Sequence, residues 1–542
     1  MSLSADLIII NAKVYTVDPD NPHAEAVATK GNEIIFVGTS DEASALKGLD
    51  TQVIDGQGRT LLPGLIDSHF HLMFGSMGLG GVQLYGIETI EGLEQAIKAW
   101  EVENPESAWI VGHGTSYAVP SDEEPLTRHH LDAIEAEKPL VLVSFDVHTA
   151  WVNTAALRAA DLLEGTDPLP GSAEVVMGAD GLATGELIEP AAYELLLAHI
   201  PDEGEERRIA LLKEGLALSA SLGITSIHNM EGDVEQATLY AALEDMGDLS
   251  LRIYIPYSVT PETPFEALAA EAVSMQQQFN SDMMRSGCVK FFMDGVFESY
   301  TAMVLDGYPD QPENYGDPIF SAEHFTKMAI EADRLGLQIF VHACGDAGVR
   351  AVLDGYEAAQ KENGARDSRH RVEHIELVHL DDVPRFAQLG VIASMQPLHS
   401  PIFENDPDIW PKRVRKQDWD RAFAWRTLRE AGASLAFGSD WPVVTLNPFI
   451  GLYAAVNRKP WEPGYNPHIQ TLEEAIAGYT RDAAYAEFQE DKKGQLKVGL
   501  WADLVLLSED IFTIPTEQIK DLQAVVTICD GRIVYQREES DV

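Results

Sequence analysis

Eight short, nearly continuous apolar runs punctuate the chain, and they constrain its fold more than any other feature. They are PGLIDSHFH (63–71), ITSIHN (224–229), LRIYIPY (251–257), VKFFMDG (289–295), LQIFVHACG (337–345), RVEHIEL (371–377), VIASMQP (391–397) and LAFGSDWP (435–442). A strand with one wet face alternates apolar and polar residues. A run that is apolar throughout is buried on both faces, as in a parallel sheet covered by helices. Helix-like stretches ending in Gly precede several of the runs, among them FTKMAIEADRLG (325–336) and AFAWRTLREAG (422–432). Most consecutive runs are about 20 to 40 residues apart, the length of one strand–helix unit. The pattern predicts an α/β fold, a distorted TIM (β/α)8 barrel.

One gap breaks the rhythm. About 150 residues separate the first two runs, with strand-like WIVGHG and PLVLVSFDVHTAWV and helical stretches near 91–103 and 190–220. This reads as an insertion near the barrel mouth. Both termini are rich in short β runs bounded by Gly, Asn or Asp, such as ADLIIINAKVYT and GNEIIFVG at one end and AVVTICDGRIVYQRE at the other. They read as halves of one small β-sandwich domain, since chain ends often lie together. The expected division is 1–60 and 491–542 for the sandwich, 61–72 and 206–490 for the barrel, and 73–205 for the insertion.

A chain of 542 residues with 45% apolar content can bury a barrel core and an accessory domain. The net charge of −49 argues against nucleic acid or an anionic membrane as partner, because phosphates demand Lys and Arg. No basic leader or long apolar stretch is present to suggest a signal peptide or membrane span. Cys288, Cys344 and Cys529 form no CxxC pair, so a reduced, cytoplasmic setting is expected. A homo-oligomer is compatible with this composition.

The chemistry-bearing residues fall at or near the ends of the runs. His69 and His71 are two apart, so on a strand they face the same side and can chelate a metal such as zinc. Lys290 sits among Val289, Phe291 and Phe292, where a cation is costly unless paired or modified. It reads either as a Lys that snorkels or pairs with Asp294, or as a lysine carboxylated by carbon dioxide. His342, His374 and Asp440 close the fifth, sixth and eighth runs; each alone reads equally as an ordinary polar or turn residue. Together the set lies at the C-terminal ends of strands one, four, five, six and eight, where TIM-barrel active sites are built. Asp146, His148, Trp151 and Asn153 of SFDVHTAWVN read as a capped strand end or as a wall of the substrate pocket. His228, Asp294 and Trp441 are further candidates to line it, with His113 beside them. His129-His130 and the acidic run Asp202–Glu206 read as solvated helix starts.

In this order, LLPGLIDSHFH, VKFFMDGVFES, FVHACGDAGV, RVEHIEL, FGSDWPV and the C-terminal GQLKVGLWADLVLL resemble the amidohydrolase superfamily. Within it, the chain is similar to the branch containing N-substituted formamide deformylases (amidohydrolase family 3). The resemblance implies a binuclear metal centre, most simply of two Zn2+ ions, with Mn2+ or Fe2+ also suited to such ligands. It places His69, His71 and Asp440 on the more buried ion and His342 and His374 on the more exposed one, with carboxylated Lys290 as the bridge. Residues 294–299 read Asp-Gly-Val-Phe-Glu-Ser where the family often has Asp-Gly-Ser, a departure that bears on the substrate pocket.

The implied activity is hydrolysis of a non-peptide C–N bond in a small-molecule amide, such as an N-substituted formamide. Water is activated by metal and Asp440 is the catalytic proton acceptor, with Asp67 a candidate to orient an imidazole. Cyclic amides, N-acyl amino acids or esters are alternative substrates for the same scaffold. A non-catalytic regulatory protein with a retained metal site is the alternative from another class.

Overall fold

The structure is a computed structural model, and it describes residues 4–121, 124–169, 173–201, 204–400 and 409–538. All eight apolar runs are strands of one parallel sheet, ordered as in sequence: Leu65–Phe70, Ile224–Asn229, Arg252–Ser258, Met284–Phe292, Gln338–Ala343, Arg371–His374, Ile392–Met395 and Ser434–Phe437. Helices such as Glu205–Ser221, Ala322–Arg334 and Asp346–Asn363 cover it. The last two bury Phe325, Met328, Val349, Val352 and Leu353 against the sheet. Burying a side chain of this kind contributes about 1.5–3 kcal/mol.

The barrel is almost closed. Its first and eighth strands meet just beyond their C-terminal ends, where Asp440 N donates to His69 O (2.7 Å) and His71 N donates to Trp441 O (2.9 Å). Close approach here requires Gly438, because a Cβ at that position would lie 2.4 Å from His69 N.

Two sheets make up the terminal sandwich. Residues 5–10, 26–30, 33–38 and 47–55 form one; 13–15, 23–24, 60–63, 504–507, 524–529 and 532–536 form the other. Leu7, Ile9 and Val27 of the first sheet pack on Leu61, Leu504 and Ile528 of the second.

The inserted segment carries its own six-stranded sheet between the first barrel strand and the helix Glu205–Ser221. Its central strand Leu140–Ser144 shows why two helical layers cover it. Val141 and Val143 enter the apolar cluster on one face, while Leu140 and Leu142 enter that on the other. The sequence PLVLVSFDVHTAWV is not one strand: Leu140–Ser144 and Thr149–Val152 pair antiparallel, Leu142 opposite Trp151. The chain reverses through residues 145–148, and Val147 takes a left-handed φ of 58°. The helical stretch near 190–220 is likewise two helices, Pro190–Leu197 and Glu205–Ser221.

Cys288, Cys344 and Cys529 are all buried free thiols. No helix among the described residues is long and apolar enough to cross a membrane.

Candidate metal centre

Asp440 is the point on which the site converges. Its Oδ1 lies 3.2 Å from both His69 Nε2 and His71 Nε2. Its Oδ2 lies 3.5 Å from His399 Nε2 and 3.7 Å from His374 Nδ1. Two triads of donor atoms result, His69–His71–Asp440 and His374–His399–Asp440, the atoms of each within 4.8 Å of one another. Asp440 (φ 67°) and His374 (φ 74°) both have left-handed backbones, a conformation that costs a non-glycine residue free energy and turns these side chains inward.

The chemistry of each imidazole's partner fixes which nitrogen is free. His69 Nδ1 faces Glu373 Oε2 at 2.7 Å, and a carboxylate can only accept, so the proton is on Nδ1 and the lone pair on Nε2. His342 Nε2 donates to Gly295 O (3.1 Å), leaving Nδ1 bare. His374 Nδ1, the nitrogen nearer Asp440, donates to Gln396 Oε1 (2.9 Å), so the one left free for a ligand is Nε2. His399 Nδ1 faces Glu376 Oε1 at 3.3 Å. A set of imidazoles each tied at one nitrogen and bare at the other is what a cation needs. Buried His69 Nε2, His399 Nε2, Asp440 Oδ1 and Lys290 Nζ have no hydrogen-bond partner among the described residues. Leaving such atoms unsatisfied is costly, and a divalent metal satisfies the two imidazole nitrogens and the carboxylate oxygen, though not an unmodified lysine. The donor set of imidazoles and a carboxylate therefore fits a metal ion.

Charge follows the same geometry. Burial pushes the Asp440 carboxyl up, but His69 and His71 outweigh it and hold the group well below the usual carboxylate range. Burial would lower His71, yet Asp440 and Glu231 lift it to about 9. His342 and His374 lie in the opposite sense, well below the ordinary imidazole value, chiefly through burial. Burial also brings Lys290 down to about 8, against the pull of Glu373 and Asp440. Lys290 is 1% exposed, and its Nζ sits 4.3 Å over the Phe292 ring.

The structure thus brings His69, His71, His374 and Asp440 together. His342 stands outside both triads, its ring centroid 4.4 Å from that of His374. Lys290 and Asp294 are not an ion pair among the contacts of either residue. Asp294 instead accepts from the backbone amides of Met303, Cys344 and Gly345 (2.8–3.0 Å), so it clamps two loops rather than lining a pocket.

The remaining candidates are placed as follows. Trp441 packs on Phe70, 5.0 Å between ring centroids, beneath the helix that starts at Leu72; it seals the barrel seam. His228 is fully buried, with Nδ1 2.7 Å from Arg371 Nη1 and Nε2 3.2 Å from Glu487 Oε1, inside the barrel rather than at its mouth. Trp151 belongs to the insertion's apolar core. Asn153 caps the helix Thr154–Ala159 and makes four hydrogen bonds, from Leu140 N and Ala156 N and to Glu135 O and Lys138 O. Asp67 orients no imidazole; it accepts from the amides of His69 and Ser439, tying strand one to strand eight, and burial raises it to about 7. His113 packs edge-on to Phe74, and His130 closes a capping box with Thr127 at the start of Arg128–Ile134. Asp202 and Glu203 lie outside the described residues, and exposed Glu205 and Glu206 begin a helix.

From the reversal at residues 145–148, His148 reaches the site. Its ring lies 5.7 Å from that of His342, and its Nδ1 is 2.7 Å from Glu189 Oε2. Burial would lower it, but Glu189 and Asp146 raise it to about 9. Asp146 braces the turn, accepting from Ser144 Oγ, His148 N and Tyr117 OH.

Sequence reading missed His399, Glu231, Glu373, Glu376 and Glu189. Glu373 and Glu376 flank His374 in RVEHIEL, and a charged pair inside an apolar run was a signal available there. His399 lies just past the seventh strand, one turn beyond the run that marks it.

A parallel barrel with imidazoles and a carboxylate meeting at its C-terminal rim defines the class of metal-dependent hydrolases. The amidohydrolase family model matches residues 52–535, and the chain belongs to that family, hydrolases that act on C–N bonds. Protein LONG AFTER FAR-RED 3 of Arabidopsis thaliana is 30% identical over 98% of this chain and 92% of its own. N-substituted formamide deformylase of Arthrobacter pascens is 27% identical over the full length of both. A solved structure, an uncharacterized metal-dependent hydrolase from Pyrococcus furiosus, superposes with a TM-score of 0.71 at 25% identity, covering 92% of this chain and 98% of that one.

Proposed function

We propose that the protein hydrolyses the C–N bond of a small, non-peptide amide, with an N-substituted formamide as the first substrate to try. The observation that carries this reading is the position of Asp440, whose two oxygens face two imidazoles each. In this reading His69, His71 and Asp440 would hold one divalent ion and His342 and His374 a second through their bare nitrogens, with Lys290, once carboxylated, as a further ligand. Support for the lysine's part comes from its burial, its unpartnered Nζ and its lowered pKa of about 8, since the neutral amine is the form that takes up carbon dioxide. Zinc is the simplest choice, and manganese or iron suit the same donors.

When bound, the metal supplies Lewis acidity that activates water and polarises the amide carbonyl. Asp440 Oδ2 takes a proton from the attacking water and returns it to the leaving nitrogen. His399, 3.5 Å away and backed by Glu376, steadies that carboxylate while the proton is on loan. His148, held by Glu189, forms the wall on the insertion side and gives the substrate a polar contact beside His342. The likeness to a formamide deformylase over full length favours a small acyl group, though it leaves the cyclic amides open to the same screen.

The test is a panel of N-formyl, N-acetyl and cyclic amides offered to zinc-replete protein, with His69→Ala and Asp440→Ala alongside and metal content measured for each. About two zinc per chain, with activity lost to a chelator and in both variants, is the expected result. Variants as fast as the parent would overturn the catalytic assignment, and a parent that neither binds metal nor turns over any amide would overturn the reading.

A further inference from the structure

Beneath the rim, the barrel interior is not apolar. Arg371, completely buried, grips Glu373 with one edge of its guanidinium: Nε to Oε1 at 2.8 Å and Nη2 to Oε2 at 3.0 Å. The same Nη2 also donates to Ser68 O on strand one and, at 2.7 Å, to Ser394 Oγ on strand seven. The other arm, Nη1, meets His228 Nδ1 on strand two at 2.7 Å. The guanidinium carbon stacks 4.1 Å from the Phe340 ring on strand five. Arg371 thus touches four other strands from the sixth.

The contacts continue downward. Arginine can only donate, so His228 Nδ1 must be the acceptor and the His228 proton sits on Nε2, 3.2 Å from Glu487 Oε1. Lys493 Nζ lies 2.5 Å from the same oxygen and also donates to Ser226 Oγ. From His69 to Lys493 the side chains line up as imidazole, carboxylate, guanidinium, imidazole, carboxylate and ammonium, with His228 Nε2 close to Glu487 Oε1 but outside hydrogen-bond geometry. All six side chains are buried.

We propose that Arg371 is a positioning residue for the metal centre: by clamping Glu373 it fixes the His69 tautomer and aims the Nε2 lone pair at the ion, with His228, Glu487 and Lys493 as the footing of the clamp. This rests on the reading of His69 as a metal ligand. A fork that occupies both carboxylate oxygens prevents Glu373 from rotating, and its Oε2 is then held where only an Nδ1–H can meet it. A lysine in the same place would keep the charge but lose the fork.

The experiment measures zinc affinity rather than turnover. Metal-free parent, His69→Ala, Arg371→Lys and the double variant Arg371→Met/Glu373→Gln are titrated with zinc against a competing chelator, and the thermal melt of each metal-free form is recorded. The double variant removes both charges at similar volume, but it also leaves Ser68 O, Ser394 Oγ and His228 Nδ1 without their donor, so its metal-free melt should fall below the parent's. The expected result for the folded protein is zinc affinity weaker by about 10- to 100-fold, with Arg371→Lys weakened in the same direction. A folded double variant with parental affinity would overturn the proposal. Should the double variant fail to fold, a folded Arg371→Lys with parental affinity overturns it equally. If His69→Ala binds zinc like the parent, the ligand assignment fails, and this proposal with it.

Discussion

The barrel rim and the turn of the inserted sheet carry the same kinds of residue, yet they do opposite things with them. At the rim, His69 Nε2, His399 Nε2 and Asp440 Oδ1 are buried without hydrogen-bond partners among the described residues, and they converge. In the inserted segment, Asn153 spends every polar atom on the backbone, and Asp146 Oδ1 accepts from three donors. Residue type does not separate site from scaffold, and neither does one unsatisfied atom, since Asp146 Oδ2 and Trp151 Nε1 also lack a partner among the described residues; the convergence of several such atoms does. A polar group fully paired with its own fold has nothing left to offer a ligand.

That contrast can be broken by substitution. The largest effect is expected at Asp440: Asp440→Asn keeps the shape but cannot take a proton, and kcat on the best amide should fall by about 10³-fold or more. A variant within about tenfold of the parent would place the base elsewhere. Asn153→Ala should do the reverse, lowering stability by about 2–3 kcal/mol in a denaturant melt through a lost helix cap and orphaned backbone groups, with kcat per folded molecule unchanged. If turnover drops and the melt does not, Asn153 belongs to the site after all. The smallest effect is expected at His148, the one residue of the turn that reaches the rim. His148→Gln should raise KM about tenfold, the cost of roughly one lost polar contact to a bound substrate, and leave kcat nearly intact. Equal loss in both constants would move His148 into the chemistry.

The barrel was legible because strands buried on both faces leave an unbroken apolar record, and each of the eight runs became a strand. The pairing of His69 with His71 was also legible, though for a partly different reason. The strand ends at Phe70, and His71 already stands at the start of a helix. The two still converge, because Asp440 sits between them. What lay hidden depended on backbone turns beyond strand ends. The left-handed φ of His374 and Asp440 and the position of His399 have no period to betray them. Arg371 and Glu373 were overlooked because charge in a sequence suggests water, whereas here two opposite charges cancel inside the barrel. Trp151 and Asn153 left two readings open, a capped strand end or a pocket wall, since a cluster of polar and aromatic residues looks alike whether it faces substrate or its own backbone; the capping role of Asn153 matches the first.

The seam between the first and eighth strands has a mechanical consequence. These strands share no ladder along their length; they are joined toward one end, by the amides of Asp440 and His71 and by Asp67 accepting from Ser439 N. The residue that rivets the hoop is also the carboxylate at the heart of the site. Anything that tightens the grip on Asp440 therefore tightens the whole circumference, and the architecture has tied its weakest joint to the place where a ligand would sit.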